Sequence, residues 1–298
     1  MKKKLLRFLM FMLIGGSSVM AQTPEGLLPK IDLFIGAELY YRDIFYNRMY
    51  DVLVNLTPGI KWNFGERWQL AGQVIIPVYN DYGDRYKKVR LNMAVLSKEW
   101  DWNRKQFLKV SVGLFGKERY GLDAKWMYPV NSWLALDAQM GVTGFCSMAA
   151  DWECSKMERI TGQVGANIYL ANINTEFRLH GGRYLYEDYG GIAEVMRHFK
   201  HCTVGLYAQY NNYEKKNGGF KVIMMIPPYK RKKHKVRVRP ASNFRLTYDI
   251  YGLPYAVKMY VTDPEENERE GHFDRNLLQW GANKMVPDFD IKDGGIGK

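Results

Sequence analysis

Apolar and polar residues alternate along most of the chain, from about residue 31 to residue 261. In one example, Val110, Val112 and Leu114 are interleaved with Ser111 and Gly113. Successive side chains of a strand point to opposite faces of a sheet, so this period of two indicates strands with one apolar and one polar face. The pattern predicts an all-β protein of about 12 to 14 antiparallel strands, with no helix after the N-terminal segment.

The clearest three strands follow one another between residues 181 and 228 and predict a β-meander. The stretch contains the run GGRYLYEDYGG, an Ile-x-Glu-Val-x-Arg strand, a Val-Gly-Leu-Tyr-Ala strand, a Gly-Gly-Phe-Lys turn and the ending Ile-Pro-Pro. With these motifs, residues 181–251 resemble the C-terminal part of the YjbH family. The resemblance implies a bacterial outer-membrane protein associated with exopolysaccharide production and export, and it implies no catalytic residue.

The first 21 residues have the three parts of a secretory signal. A basic beginning with Lys2, Lys3, Lys4 and Arg7 precedes a short apolar run, and small or β-branched residues precede Gln22. The run is shorter than the roughly 20 apolar residues of a transmembrane helix. The sequence therefore predicts a cleavable signal peptide over residues 1–21. A lipid anchor would need a cysteine just after the apolar run, and the first cysteine is Cys146, so the chain departs from the lipoproteins that are common among YjbH-type proteins.

Alternation alone is compatible with a soluble β-protein and with a membrane barrel, which place the apolar face on opposite sides. The strand number exceeds that of a packed soluble barrel, and aromatic residues gather at strand ends, where an interfacial girdle would lie. Full charges also lie in mid-strand on the polar face. We therefore predict an antiparallel up-and-down outer-membrane β-barrel. The candidate polar residues of its lumen are Glu38, Lys109, Asp137, Glu176, Arg178 and His180.

The domain organisation that follows is a barrel over residues 22–261 and a polar C-terminal tail over residues 262–298. Tyr255, Val257, Met259 and Val261 form a possible last strand. Outer-membrane barrels usually end on an aromatic residue, whereas this chain continues into an acidic run at Asp263. The tail is thus either an extension outside the membrane or a sign of an unusual barrel family.

The chain has a net charge of +12, which favours anionic partners through a long-range field. In a secreted, aromatic-rich protein these partners are anionic lipid headgroups or acidic polysaccharide rather than nucleic acid. The strongest charge run is either a solvated loop or an anion-binding site for acidic glycan or lipopolysaccharide phosphate. Its candidate contact residues are Lys230, Arg231, Lys232, Lys233, Lys235, Arg237 and Arg239.

Residues with obvious chemistry are few. Cys146 and Cys154 face one another across a possible hairpin, but the favoured interpretation is that the three cysteines are small apolar or turn residues. His180 and His198 are candidate general bases without a nucleophile motif beside them, so a hydrogen-bonding role is favoured. No cofactor or metal is predicted. The expected function is non-enzymatic help in exopolysaccharide production or export, with acidic exopolysaccharide and export-machinery proteins as expected partners. The alternative is a small outer-membrane enzyme that modifies lipid or glycan.

Overall fold

A computed structural model describes residues 30–43, 50–81, 83–102, 106–131, 133–148, 152–199, 202–212, 215–225, 235–241, 243–249 and 258–265. Four predictions lie outside these residues: the signal peptide, the tail beyond residue 265, the placement of Lys230, Arg231, Lys232 and Lys233, and the part of the possible last strand formed by Tyr255 and Val257.

The described residues form fifteen strands, joined by turns that include two short 3-10 helices at Asp84–Tyr86 and Ala171–Ile173. The prediction of an all-β protein is confirmed. The strands are β1 (Ile31–Asp43), β2 (Tyr50–Phe64), β3 (Trp68–Asn80), β4 (Arg90–Trp102), β5 (Gln106–Phe115), β6 (Arg119–Pro129), β7 (Leu134–Ser147), β8 (Glu153–Cys154), β9 (Arg159–Leu170), β10 (Thr175–Arg183), β11 (Tyr189–His198), β12 (Cys202–Asn211), β13 (Lys215–Met225), β14 (Val236–Pro240) and β15 (Asn243–Asp249).

The strands belong to one sheet in which consecutive strands from β1 to β13, apart from the short β8, pair with each other. The hydrogen-bonded order is β14-β1-β2-β3-β4-β5-β6-β7-β9-β10-β11-β12-β13-β15, and the two-residue β8 pairs with β7 beside this path. The pairs are antiparallel except that β14 runs parallel to β1. The predicted meander is β11, β12 and β13. β14 and β15 are the two ends of this order, and they are not paired with each other among the described residues. The predicted closure into a barrel is therefore not observed.

One face of the sheet is mostly apolar and exposed, and the other is mostly polar and buried, which is the reverse of a water-soluble sheet protein. On β12, Thr203 and Gln209 are buried, whereas Val204 and Leu206 are exposed. Other strands also have exposed apolar side chains, although some apolar residues, such as Met93, Val95 and Phe115, lie on the buried face. The exposed apolar side chains include Ile35, Ile60, Val112, Met140, Val164 and Leu179. The apolar face is therefore the exposed face of the sheet, and the polar face is the buried face.

Residues 258–265, called the inner segment below, lie against the buried face without forming a strand. Met259, Tyr260 and Val261 pack on Phe115 and on an apolar cluster formed by Met93, Val95 and Leu185. The Gly116 amide donates a hydrogen bond to the Val261 carbonyl at 2.9 Å. The prediction that Met259 and Val261 belong to a last strand is wrong, because these side chains pack on a sheet face instead of pairing at an edge.

The first described residues of the predicted polar tail, which begins at Thr262, lie against the buried face. Thr262 and Glu265 are buried, and Asp263 has only 17% of its side chain exposed. Cations of the sheet satisfy the acidic groups, so water is not needed to solvate them. The acidic run is thus an interior element at its start.

Candidate functional site

The six side chains predicted to line a lumen lie on the buried face. Lys109 and Glu176 are buried, and the side chains of Asp137, Arg178 and His180 are each less than a fifth exposed. Glu38 is half-buried on the same side of β1 as Asp32 and Phe34. Apart from Glu38, they belong to three polar groups of the buried face, described in turn below. Their role in lining a lumen stays a prediction.

The first group joins the inner segment to strands β2 and β5. Lys61 Nζ lies 2.9 Å from Asp263 Oδ1 and 2.9 Å from Glu265 Oε2. Lys109 Nζ lies 3.3 Å from Asp263 Oδ2 and 3.4 Å from Glu99 Oε1. Both lysines are almost fully buried, so their charges are stabilised by these carboxylates rather than by bulk water.

Strand β14 extends this group. Arg239 donates hydrogen bonds to Asp32 and to Glu265, and Arg237 donates to Asp32 at 2.6 Å. We call the whole set the inner ion cluster. It contains four cations and four carboxylates: Lys61, Lys109, Arg237 and Arg239 with Asp32, Glu99, Asp263 and Glu265.

The pKa values of the two acidic groups of the inner segment reflect this setting. Burial alone would raise the pKa of Asp263, but Lys61 and Lys109 outweigh it and hold the pKa well below its ordinary value of 3.8. Burial also raises the pKa of Glu265, but Lys61 and Arg239 lower it by more, so this pKa lies below its ordinary value of 4.5. Both groups are therefore ionised at neutral pH.

Two further contacts fix the direction of the inner segment. Lys258 Nζ lies 3.0 Å from Asp188 Oδ2 in the turn between β10 and β11. The Tyr260 hydroxyl donates to Asp123 Oδ1 at 2.7 Å, and its ring stacks on Phe115 with centroids 5.2 Å apart. From this turn the segment proceeds to Lys61, which lies near the end of β2. It thus runs along the buried face from one end of the sheet toward the other.

The second polar group contains a hydroxyl, an imidazole and a carboxylate in a row. Thr203 Oγ1 lies 3.0 Å from His198 Nδ1, and His198 Nε2 lies 3.3 Å from Glu176 Oε2. Hydrolases use such a row when the hydroxyl is open to substrate. Here Thr203 has no exposed surface, and Glu176 also accepts a hydrogen bond from Arg178 at 2.8 Å. The arrangement stabilises the interior without giving a substrate access to the hydroxyl.

The third group borders an open space on the buried face. His180 Nε2 lies 3.2 Å from Asp137 Oδ1, and Asn167 donates to Asp137 Oδ2 at 2.7 Å. A cavity of about 590 Å³ is lined by His180, Gln209 and residues of β10 to β13. Its polar groups can exchange hydrogen bonds with water or with sugar hydroxyls.

The candidate anion-contacting residues divide between two settings. Arg237 and Arg239 belong to β14 and are paired with Asp32, so they do not extend a solvated basic run. Lys235 is exposed just before β14. Lys230, Arg231, Lys232 and Lys233 precede it outside the described residues, so their role as an anion site stays a prediction.

Two of the three cysteines form a disulfide. Cys146 on β7 is bonded to Cys154 on β8, and Cys202 is free. The possible hairpin pairing is the one observed, and the favoured interpretation of all three as unpaired small residues is wrong for Cys146 and Cys154. Within the described ranges, no group of three or more His, Cys, Asp or Glu side chains is placed to hold a metal ion. The part of the chain covered by the structure also has no helix long and apolar enough to span a membrane.

The inner segment was missed by sequence reasoning. Its one signal is an acidic run, Asp263, Glu265 and Glu266, in a chain whose net charge is +12. Lysines on the polar faces of the strands can pair with such a carboxylate-rich stretch, but the sequence does not show which lysines it contacts.

A comparison with family models gives one match. The model described as "YjbH: Exopolysaccharide biosynthesis protein YbjH" matches residues 79–222. The chain is YjbH-like. No curated protein matches it significantly.

The YjbH-like region overlaps the resemblance seen in the sequence over residues 181–222 and reaches much further toward the N-terminus. Residues 223–251 lie outside it. It extends from the end of β3 into β13 and includes Lys109, Phe115, Asp123 and Asp188, which contact the inner segment. The inner segment itself lies beyond the matched range. The YjbH-like part of the chain thus supplies much of the surface on which this segment rests.

Proposed function

We propose that the protein is an outer-membrane β-barrel that assists exopolysaccharide production or export without transforming the polymer. The observation that carries this proposal is the exposed apolar face and buried polar face of a YjbH-like sheet. The family description supports the exopolysaccharide-related role in general terms. The membrane location, the closed barrel and the absence of catalysis are the parts that we add.

The exposed apolar face supports a lipid environment. Large side chains such as Leu206, Val164 and Met140 are more than 60% exposed, and they recur on neighbouring strands. Exposed apolar patches of this extent are rare on soluble monomers. Lipid tails would cover them, and the buried face would keep its charges away from the hydrocarbon.

Closure is supported by the stretch that contains β14 and β15. Val236–Pro240 pairs with β1, Asn243–Asp249 pairs with β13, and the Ala241 amide between them donates to the Ile35 carbonyl at 2.8 Å. The two ends of the sheet are thus parts of one stretch of chain. Counted as one strand, β14 and β15 reduce the fourteen strands of the path to thirteen. When strands alternate in direction and their number is odd, the first and the last strand run in the same direction. The pair that closes a barrel of this kind is therefore parallel, as the pair of β14 and β1 is.

Aromatic side chains support the membrane orientation. Trp62 and Trp133 are exposed near one end of the sheet, and Tyr79, Tyr189 and Tyr210 are exposed near the other. Indole and phenol rings favour the interface between lipid and water because they are apolar with one polar group. Two such belts agree with strands that cross the bilayer.

The hydroxyl of Thr203 belongs to the arrangement that most resembles a catalytic one, and its geometry supports a non-enzymatic role. Thr203 is fully buried beside His198, and its hydroxyl is engaged by that imidazole. The open space near His180 offers hydrogen-bonding groups without a nucleophile–base pair among its lining residues in the described chain. Such a surface fits contact with a passing polymer.

The test is to express the full-length chain in a Gram-negative host and to separate the outer membranes. We expect the mature protein in the outer-membrane fraction, with a mobility shift between unboiled and boiled samples, as intact barrels give. In the native organism, deletion of the gene should lower the amount of extracellular polysaccharide, and the wild-type gene should restore it. Recovery of a soluble periplasmic monomer without detergent would overturn the proposal.

A further inference from the structure

Two carboxylates of the inner segment form ion pairs with cations that belong to the sheet. Asp263 contacts Lys61 and Lys109, and Glu265 contacts Lys61 and Arg239. The cations are fixed on β2, β5 and β14, which are held by their strand partners. The carboxylates come from a stretch that belongs to no strand.

The charges of the inner ion cluster balance only while the segment is in place. Four cations face four carboxylates, two of which are Asp263 and Glu265. Removal of these two takes two negative charges away from Lys61, Lys109 and Arg239, so the local charge becomes more positive by two. Unpaired charges in a low-dielectric interior are costly and attract anions strongly. The site beneath the segment is therefore cationic when it is vacated.

The way in which the segment is held permits such a departure. Side-chain packing of residues 259–261, single backbone bonds such as that from Gly116 to Val261, and side-chain ion pairs and hydrogen bonds attach it to the sheet. The strand ladders of the sheet do not include it. Its removal would therefore leave the pairing of β1 to β15 intact.

We propose that the inner segment is a removable plug, and that Lys61, Lys109 and Arg239 beneath it form a binding site for a carboxylated polysaccharide. This inference rests on the proposed function and names its class of ligand. The carboxylates of Asp263 and Glu265 occupy the positions that uronate groups of the polymer take. The polymer competes with the plug, so the closed protein has carboxylates on these cations and the open protein is selective for polyanions.

A covalent lock tests the plug directly. A Cβ atom added at Gly116 would lie 3.4 Å from Val261 Cβ, close to the Cβ spacing of disulfides. The variant Gly116→Cys/Val261→Cys, made together with Cys202→Ser to remove the free thiol, holds the segment in place when oxidised and frees it when reduced. Cys202→Ser alone, with and without reductant, controls for reduction of the bond between Cys146 and Cys154.

Binding is measured with full-length protein in detergent micelles, from the fluorescence anisotropy of a labelled oligogalacturonate. We expect the oxidised lock to bind at least about tenfold more weakly than the reduced form, a factor typical of coupling between two sites. A neutral dextran fragment of similar length should bind weakly to both forms. Equal binding of the probe to the oxidised and reduced forms, or equal binding of dextran and oligogalacturonate, would overturn the inference.

A second variant removes the competing charges without a cross-link. Asp263→Asn/Glu265→Gln should bind oligogalacturonate at least about tenfold more tightly than the wild type, and adding Lys61→Gln/Lys109→Gln should abolish the gain. The matched control, Glu66→Gln/Asp84→Asn, removes two exposed carboxylates from turns and should bind as the wild type does. Outer-membrane fractionation of the same proteins separates the two proposals: correct location with unchanged binding overturns the plug alone, and loss of the wild type from that fraction overturns the proposed function.

Discussion

Val204 and Gln209 lie on opposite faces of β12, and the apolar residue is the exposed one. Val204 has 38% of its surface exposed, whereas Gln209 has 5%. Five positions along a strand place two side chains on opposite faces, so the relationship follows from the period of two. In a water-soluble sheet protein the two exposures would be reversed. The pair therefore gives a direct test of what surrounds the sheet.

The first prediction concerns this pair. Val204→Arg places a charge on the exposed apolar face and should destabilise the protein by about 2 to 4 kcal/mol in lipid, as arginine does near the midplane of membrane barrels. Gln209→Arg places the charge beside the cavity lined by Gln209 and should be tolerated. Refolding titrations in urea with lipid vesicles measure both. The reverse ranking would mean that the exposed face is not covered by lipid.

The sequence was sufficient to predict most of the strands because twelve of the fifteen are nine or more residues long and alternate, whereas the short β8 and β14 were not predicted. Strands β11, β12 and β13 occur where the alternation of Ile192, Val204 and Phe220 with polar neighbours predicted them. Lys109 and Glu176 were also placed correctly on the polar face. Local periodicity carries this information, since side-chain direction on a strand depends on position alone.

The contacts between distant parts of the chain were not predictable in the same way. Lys109 and Asp263 are 154 residues apart, and their contact depends on the path of the inner segment across the buried face. The alternation of Met259 and Val261 predicted another strand, because packing on a sheet face and pairing at its edge give the same local pattern. Arg237 and Arg239 were assigned to a basic run for a similar reason, since only the pairing of β14 with β1 brings Asp32 beside them.

The second prediction concerns the disulfide between Cys146 and Cys154. Peptide mapping without reduction should recover these two cysteines in one linked peptide and Cys202 as an alkylated thiol. Replacing both bonded cysteines by serine should lower the free energy of unfolding by about 2 to 3 kcal/mol, since a short loop then gains freedom in the unfolded chain. Cys202→Ser, measured in the same denaturant titration, is the control. An alkylated Cys154 in the unreduced protein would contradict the assignment.

The third prediction concerns the basic run before β14. Replacing Lys230, Arg231, Lys232, Lys233 and Lys235 by glutamine should weaken the binding of acidic polysaccharide and leave the protein folded. The effect should shrink as salt rises, because screening acts over about 10 Å at 0.1 M ionic strength. Affinity measured at several salt concentrations, together with extracellular polysaccharide in cells, checks this. Glutamine in place of five other exposed cations, Arg67, Lys87, Lys88, Lys117 and Lys156, is the matched control, and an equal effect of both sets would show that the run is an ordinary solvated loop.

The fourth prediction addresses catalysis. Thr203→Val keeps the shape of the side chain and removes the hydroxyl next to His198. We expect a loss of about 1 to 3 kcal/mol in stability, because a buried imidazole loses a hydrogen-bond partner. Exopolysaccharide output should stay at the wild-type level when the variant accumulates normally in the outer membrane. A loss of output from a normally assembled Thr203→Val protein would replace the export role with an enzymatic one.

The last prediction concerns the pH at which the inner segment leaves the buried face. Lys61 and Lys109 hold the pKa of Asp263 well below 3.8, and Lys61 and Arg239 hold that of Glu265 below 4.5. A carboxylate with a lowered pKa in the folded state contributes its full stabilisation above its unfolded pKa and loses it as pH falls toward the folded value. The segment should therefore stay in place from about pH 8 to about pH 5 and be released only below about pH 4.

Ion conductance through the protein in planar lipid bilayers measures this release. The wild type should show a low and constant conductance from neutral pH to about pH 5 and a steep rise in more acidic solution. The oxidised Gly116→Cys/Val261→Cys/Cys202→Ser protein, whose segment cannot leave, should stay at the low level throughout, and reduction should restore the acidic rise. Asp263→Asn/Glu265→Gln should be conductive already at neutral pH, because the two carboxylates that bind the segment to Lys61, Lys109 and Arg239 are gone. A rise near neutral pH in the wild type would show that another group, such as a histidine, controls the segment, and the two carboxylates would then lose the role assigned to them.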